Sequence, residues 1–190
     1  MRRRKGSSPR RKPRPAQALP KRADRPSKTP FEREDATKRC GEIAQLAFAL
    51  KAARLRFGVS HPYGDSERYD VILDCRRANL FQQRPNTVDQ ARPRLVRVQV
   101  KATTQLVEGL YHVNAHRRIH GRAVPYKLSE IDFIAAYVIP EDSWFIFPLP
   151  HILGASSLLL SPKNRRKPHP NNPYREAWHL LREPDGLEFA

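Results

Sequence analysis

From Lys38 to Phe57 the apolar residues Ile43, Leu46, Ala47, Leu50, Ala53 and Phe57 recur at steps of three and four, the spacing of one helix face. Gly58 follows where a left-handed C-terminal cap is expected. The pattern then changes period. Val59 to Pro62 reads as a short strand, Tyr63 to Arg68 has turn composition, and Tyr69 to Asp74 reads as a second strand. Leu95 to Thr103 alternates and is β-branched, which puts Val96, Val98 and Val100 on one face and Arg97, Gln99 and Lys101 on the other. Leu110 to Ala115 is a weaker strand. Ile131 to Ile139 is apolar on both faces, as a central strand is, and Trp144 to Pro148 follows after a Glu141-Asp142 turn. Tyr174 to Arg182 predicts a short closing helix. One helix, three strands and then further strands, with no internal repeat, predict a mixed α/β sandwich.

Composition adds a tail to this domain. The chain has 190 residues and a formal charge of +17. Residues 1–30 hold twelve Lys or Arg against the single acid Asp24, with six prolines, so +11 of the charge lies there. That composition predicts a disordered basic arm, 1–36, and the prolines exclude the amphipathic helix of a transit peptide. Such an arm gives sequence-independent affinity for polyanions. A second basic, proline-punctuated stretch, Pro162 to Pro173, opens a segment 162–190 that ends in the closing helix, leaving 37–161 as the domain. Arg76 to Arg94 carries five arginines and two prolines and reads as a loop, compatible with a DNA contact or a solvated insertion. No apolar run approaches the roughly 20 residues of a membrane helix, so no membrane partner is expected. Cys40 and Cys75 form no disulfide framework and no zinc-type spacing, which fits a reducing cytoplasm.

The candidate chemistry lies on the strands. Gln99 and Lys101 are two residues apart and share a sheet face, about 6 to 7 Å apart along the strand. If the preceding strand pairs alongside, Asp70 faces the same spot. A carboxylate with carbonyl oxygens suits Mg²⁺, and a lysine beside the ion can orient a water and offset charge developing on phosphorus. Asp65 and Asp74 are weaker candidates for the acid. Phosphodiester hydrolysis is the reaction such a set can perform.

The stretch Gly58-Val-Ser-His-Pro-Tyr-Gly-Asp-Ser-Glu-Arg-Tyr-Asp70-Val-Ile-Leu-Asp74, followed by Arg97-Val-Gln99-Val-Lys101, resembles the PD-(D/E)XK nucleases, and within them the branch of group I intron-encoded homing endonucleases. The resemblance spans residues 38 to 150. It implies a restriction-endonuclease-like αβββαβ core, a mixed central β-sheet flanked by helices, and Mg²⁺-dependent cleavage of double-stranded DNA by metal-activated water. It assigns metal binding to Asp70 with Gln99, which replaces the usual acid in this branch, and water activation to Lys101. Its helix acid falls at Gln45 here, so Glu42, one turn earlier, is the candidate third ligand. It also implies frequent homo-oligomerisation, as a dimer or tetramer. A second reading is a catalytically weak or inactive DNA-binding module that keeps the nuclease fold.

Arg68, Arg97, Arg117, Arg118 and Arg122 are the candidate DNA contacts, with a solvated face as the bland alternative for the last three. His112, His116 and His120 stand four apart, but their surroundings are strand-like, so scattered surface histidines are favoured over a zinc site. Trp144, Phe145 and Phe147 are expected in the core rather than as a base-stacking platform.

Overall fold

The computed structural model describes residues 30–64, 66–75, 95–161 and 169–182. The arm through residue 29, Asp65, the 76–94 stretch and the basic residues 162–168 lie outside them. The chain enters at helix α1, Pro30–Arg54, earlier than the Lys38 start and the 1–36 arm boundary read from the sequence. Proline suits a first helical position because its φ is already helical and it has no N–H to leave unpaired. The helix ends at Arg54, and Arg56, two residues beyond, is left-handed with a φ of 69°. The Phe57 N–H then bonds the Ala52 carbonyl at 3.0 Å, so Arg56, and not Gly58, makes the terminal turn.

The helix face is also rotated from the expected one. Ala44, Phe48 and Ala52 are buried, whereas Leu46 is 73% exposed and Leu50 56%. Both stripes have helical spacing, so period alone does not choose between them. Close packing does: two alanines let the backbone approach the sheet while the Phe48 ring enters an aromatic cluster, 5.4 Å from Trp144 and 5.3 Å from Trp178.

The strands are β1 (Gly58–Ser60), β2 (Val71–Asp74), β3 (Leu95–Thr103), β4 (Leu106–Val107), β5 (Leu110–Asn114), β6 (His116–Ile119), β7 (Arg122–Pro125), β8 (Phe133–Val138), β9 (Ser143–Pro148) and β10 (Ser157–Leu160). The central sheet has the order β1-β2-β3-β8-β9 and is mixed, its one parallel pair being β3 with β8. Helix α1 covers one face over Val71, Val98, Val100, Ala135 and Trp144. A second sheet, β10-β5-β4, covers the other over Ile134, Ala136, Phe145 and Phe147. Strands β8 and β9 are buried at every residue, and Trp144, Phe145 and Phe147 are core, as their patterns indicate.

Between β3 and β8, where the αβββαβ outline has its second helix, the chain forms two hairpins. Their two-residue turns are Glu108-Gly109 and His120-Gly121, with φ of 50° and 80° in the first and 47° and 77° in the second. Two successive positive φ values match the right-handed twist of hairpin strands. The closing helix is replaced by 3-10 turns at Asn172–Tyr174 and Trp178–Leu181, because Glu176 between them is left-handed, with φ 49°. No helix among the described residues is long and apolar enough to cross a membrane.

Candidate active site

The β2–β3 register pairs Val71 with Val98, and one step further sets Asp70 opposite Gln99. The Asp70 N–H still bonds the Val98 carbonyl, at 2.9 Å, but β2 starts only at Val71. The Val100 amide therefore lies past the end of the ladder, and a buried N–H needs an acceptor. The side chain of Asp70 supplies it: Oδ2 accepts from Val100 N at 2.7 Å and from the Gln99 amide nitrogen. That leaves Oδ1 with no hydrogen-bond donor among the described residues. His61, at the end of β1, places Nδ1 3.2 Å from the Asp70 carbonyl oxygen.

Lys101 shares the Gln99 face, flanked on β8 by Ala136. Its ammonium stands 5.3 Å from the centre of the Tyr126 ring. Burial pushes the Lys101 pKa down, and Asp70 partly opposes the shift. Burial pushes the Asp70 pKa up, against the Val100 amide, Lys101, His61 and Gln99. Burial raises the Tyr126 hydroxyl as well, reinforced by Asp70. An acid and a base that each resist their charged forms lie near enough to interact, an arrangement typical of functional sites.

The sequence profile of the PD-(D/E)XK endonucleases matches residues 87–181, half of the chain, and takes in the Gln99-Val-Lys101 strand. The chain belongs to the PD-(D/E)XK endonucleases. Among solved structures it is similar to the bacterial homing endonuclease I-Ssp6803I, with a TM-score of 0.63 and 29% identity over 80% of this chain and 97% of that one. No curated protein matches significantly. The PD-(D/E)XK assignment agrees with the sequence resemblance and with the mixed central sheet.

In this PD-(D/E)XK chain Asp70, Gln99 and Lys101 are brought together, and Glu42 is not. Glu42 lies two residues, about 200° of helix, from buried Ala44, so it faces away from the sheet, and it is exposed. Arg97 is spent internally. Its guanidinium makes two hydrogen bonds to Asp132, at 2.8 and 3.1 Å, and reaches the carbonyls of Leu128 (3.0 Å) and Ser129. The hydrogen bond to Asp132 raises the Arg97 pKa further. Arg117 pairs with Glu130 at 2.8 Å and is largely buried. Arg68, Arg118 and Arg122 are exposed and free to meet a phosphate. His112 is on β5, His116 on β6 bonded to the Ser156 carbonyl at 2.7 Å, and His120 in the β6–β7 turn, so no helix aligns them.

Sequence reasoning missed Tyr126 and His61. Tyr126 carries no motif, and only the fold sets its ring beside Lys101 of β3. His61 had one signal, its place just before the Pro62-Tyr63-Gly64 turn. As for a cation, the donors suit a hard one. Asp70 has a free oxygen, Gln99 a carboxamide oxygen and Val100 a carbonyl, the last 3.3 Å from the Gln99 amide nitrogen. Among the described residues no group of three or more His, Cys, Asp or Glu gathers anywhere. A single carboxylate with carbonyl oxygens fits Mg²⁺, which takes one or two protein carboxylates and completes its shell with water and substrate phosphate.

Proposed function

We propose that this protein is a Mg²⁺-dependent DNA endonuclease that hydrolyses phosphodiester bonds at the Asp70–Gln99–Lys101 group. The observation that carries the reading is the Asp70 carboxylate fixed by the Val100 amide on the strand bearing Gln99 and Lys101. Asp70 and Gln99 would hold the cation with the Val100 carbonyl. Mg²⁺, when bound, supplies Lewis-acid polarisation of the phosphate and a more acidic water. Lys101 positions the attacking water and offsets negative charge that grows on the phosphate oxygens in the transition state. Its lowered pKa reflects partial desolvation, which also strengthens that electrostatic effect.

Double-stranded DNA is the proposed substrate, with exposed Arg68, Arg118 and Arg122 and the basic arm supplying phosphate contacts. Cutting both strands calls for two sites, which a homodimer or tetramer provides. A reducing cytoplasm is the proposed compartment, since Cys40 and Cys75 form no disulfide among the described residues. The outward Glu42 favours the second reading, a DNA-binding module with a weakened site. Incubating supercoiled plasmid with the protein and Mg²⁺, beside EDTA and Lys101→Ala controls, separates the two. Nicking or linearisation that both controls abolish supports the nuclease. Tight, salt-sensitive binding without cleavage under any divalent ion supports the module.

A further inference from the structure

The third polar residue of the β3 face, Arg97, faces the loop that delivers Tyr126. That loop, 127–132, is braced at both ends. Arg97 holds the carbonyls of Leu128 and Ser129 and the carboxylate of Asp132, while the Asp132 N–H returns to the Arg97 carbonyl at 2.9 Å. Glu130 bridges Arg117 at 2.8 Å and the Lys127 N–H at 3.0 Å. The Glu130 N–H closes the turn on the Lys127 carbonyl at 2.9 Å. Tyr126, immediately before this turn, is only 5% exposed and packs in the core between the two sheets. Its ring is the surface over which the Lys101 ammonium lies, inside the roughly 6 Å at which the negative face of an aromatic ring attracts a cation.

We infer that Tyr126 is a positioning residue: its ring holds the Lys101 ammonium on the Asp70–Gln99 side of β3, and Arg97 and Arg117 keep the ring there by bracing its loop. This rests on the proposed role of Lys101. A lysine has four rotatable side-chain bonds, and a lysine without a seat spends most of its time away from the reacting phosphate. Ring and carboxylate together define one place for it. Neither needs DNA or a cation to be present.

The experiment has a structural and a kinetic arm. In the free protein, ring current from Tyr126 shifts the Lys101 ε-methylene protons upfield in NMR spectra; Tyr126→Phe keeps the shift and Tyr126→Leu abolishes it. In plasmid cleavage with Mg²⁺, Tyr126→Leu lowers kcat about tenfold at unchanged DNA affinity, and Tyr126→Phe restores the rate to within about twofold. Pentafluorophenylalanine at position 126 keeps the ring's shape and reverses its charge pattern, so it lowers kcat like leucine while folding like phenylalanine; it replaces the leucine variant should that one unfold. A Lys101 methylene at its random-coil shift in the unmodified protein overturns the inference. So does a pentafluorophenylalanine variant with full kcat when Lys101→Ala is inactive. Full activity of Lys101→Ala overturns the nuclease assignment instead, and the NMR arm reads the seating of Lys101 independently of it.

Discussion

Asp70 accepts the Val100 amide through Oδ2 at 2.7 Å, so the acid of the site is held by the backbone of the strand that carries Gln99 and Lys101. The same carboxylate is destabilised by burial, which raises its pKa from 3.8. The folded protein therefore binds this proton more tightly than the unfolded chain. Stability due to Asp70 is present in full below 3.8 and is lost as pH rises through the raised folded value. Asp70→Asn keeps an acceptor for Val100 and removes the buried charge. It should raise Tm at pH 7 in EDTA, by a few degrees at most, and the advantage should vanish near pH 3. Plasmid cleavage by the variant should be lost. Thermal unfolding across pH 3 to 8 checks the first expectation.

The proposed mechanism needs Asp70 ionised and Lys101 protonated, and their pKa values are pushed toward each other. The acid limb of kcat/KM, read at Mg²⁺ far below saturation so that it reports the metal-free enzyme, should lie above the ordinary carboxylate range. The alkaline limb should lie below the ordinary lysine value of 10.5. Cleavage rates at limiting DNA over a pH series test this, and an alkaline limb at or above 10.5 would contradict the desolvated environment assigned to Lys101.

Arg97 and the exposed arginines should separate cleanly. Arg118→Ala and Arg122→Ala should each weaken DNA binding and reduce the slope of log K against log salt by about 1. Arg97→Met should leave the slope unchanged. It should cost stability, about 1 to 2 kcal/mol, because Asp132 loses its partner; the side chains are 31% and 36% exposed, so water screens part of the loss. Binding isotherms at several salt concentrations, together with urea unfolding, measure both effects.

The two stripes of α1 should respond in opposite ways. Phe48→Ala opens a cavity beneath Trp144 and Trp178 and should cost about 3 to 5 kcal/mol. Leu46→Gln, at a position 73% exposed, should stay within about 0.5 kcal/mol. Chemical denaturation distinguishes these, and a large loss at Leu46 would mean that its face is covered in solution.

The strands that carry the site were legible because their signal is local. Alternation in Leu95–Thr103 put Gln99 and Lys101 on one face, and the structure keeps them there. Helix α1 was legible as a helix but not in its buried face, since Ile43, Leu46 and Leu50 repeat as regularly as Ala44, Phe48 and Ala52. The hairpins at Glu108-Gly109 and His120-Gly121 carried turn glycines, yet the stretch 116–125 is too polar to read as strands. In the sequence Arg97 and Arg117 read as DNA contacts, because a charge in a sequence does not show whether an acid awaits it in the fold. Asp132 and Glu130 do.

The sequence by itself determined the side of β3 that bears Gln99 and Lys101, the central character of β8 and β9, and a family resemblance strong enough to name the chemistry. Period-2 alternation and continuous apolar runs are properties of neighbours along the chain, and they survive folding unchanged. Tertiary structure alone decided that Asp70 is fixed by the Val100 amide, that Glu42 faces away, that Tyr126 lies against Lys101, and that two arginines serve the scaffold. Each depends on where a strand ends or a loop lands in space, and those outcomes are set by packing and by the need to satisfy buried polar groups, which no local pattern encodes.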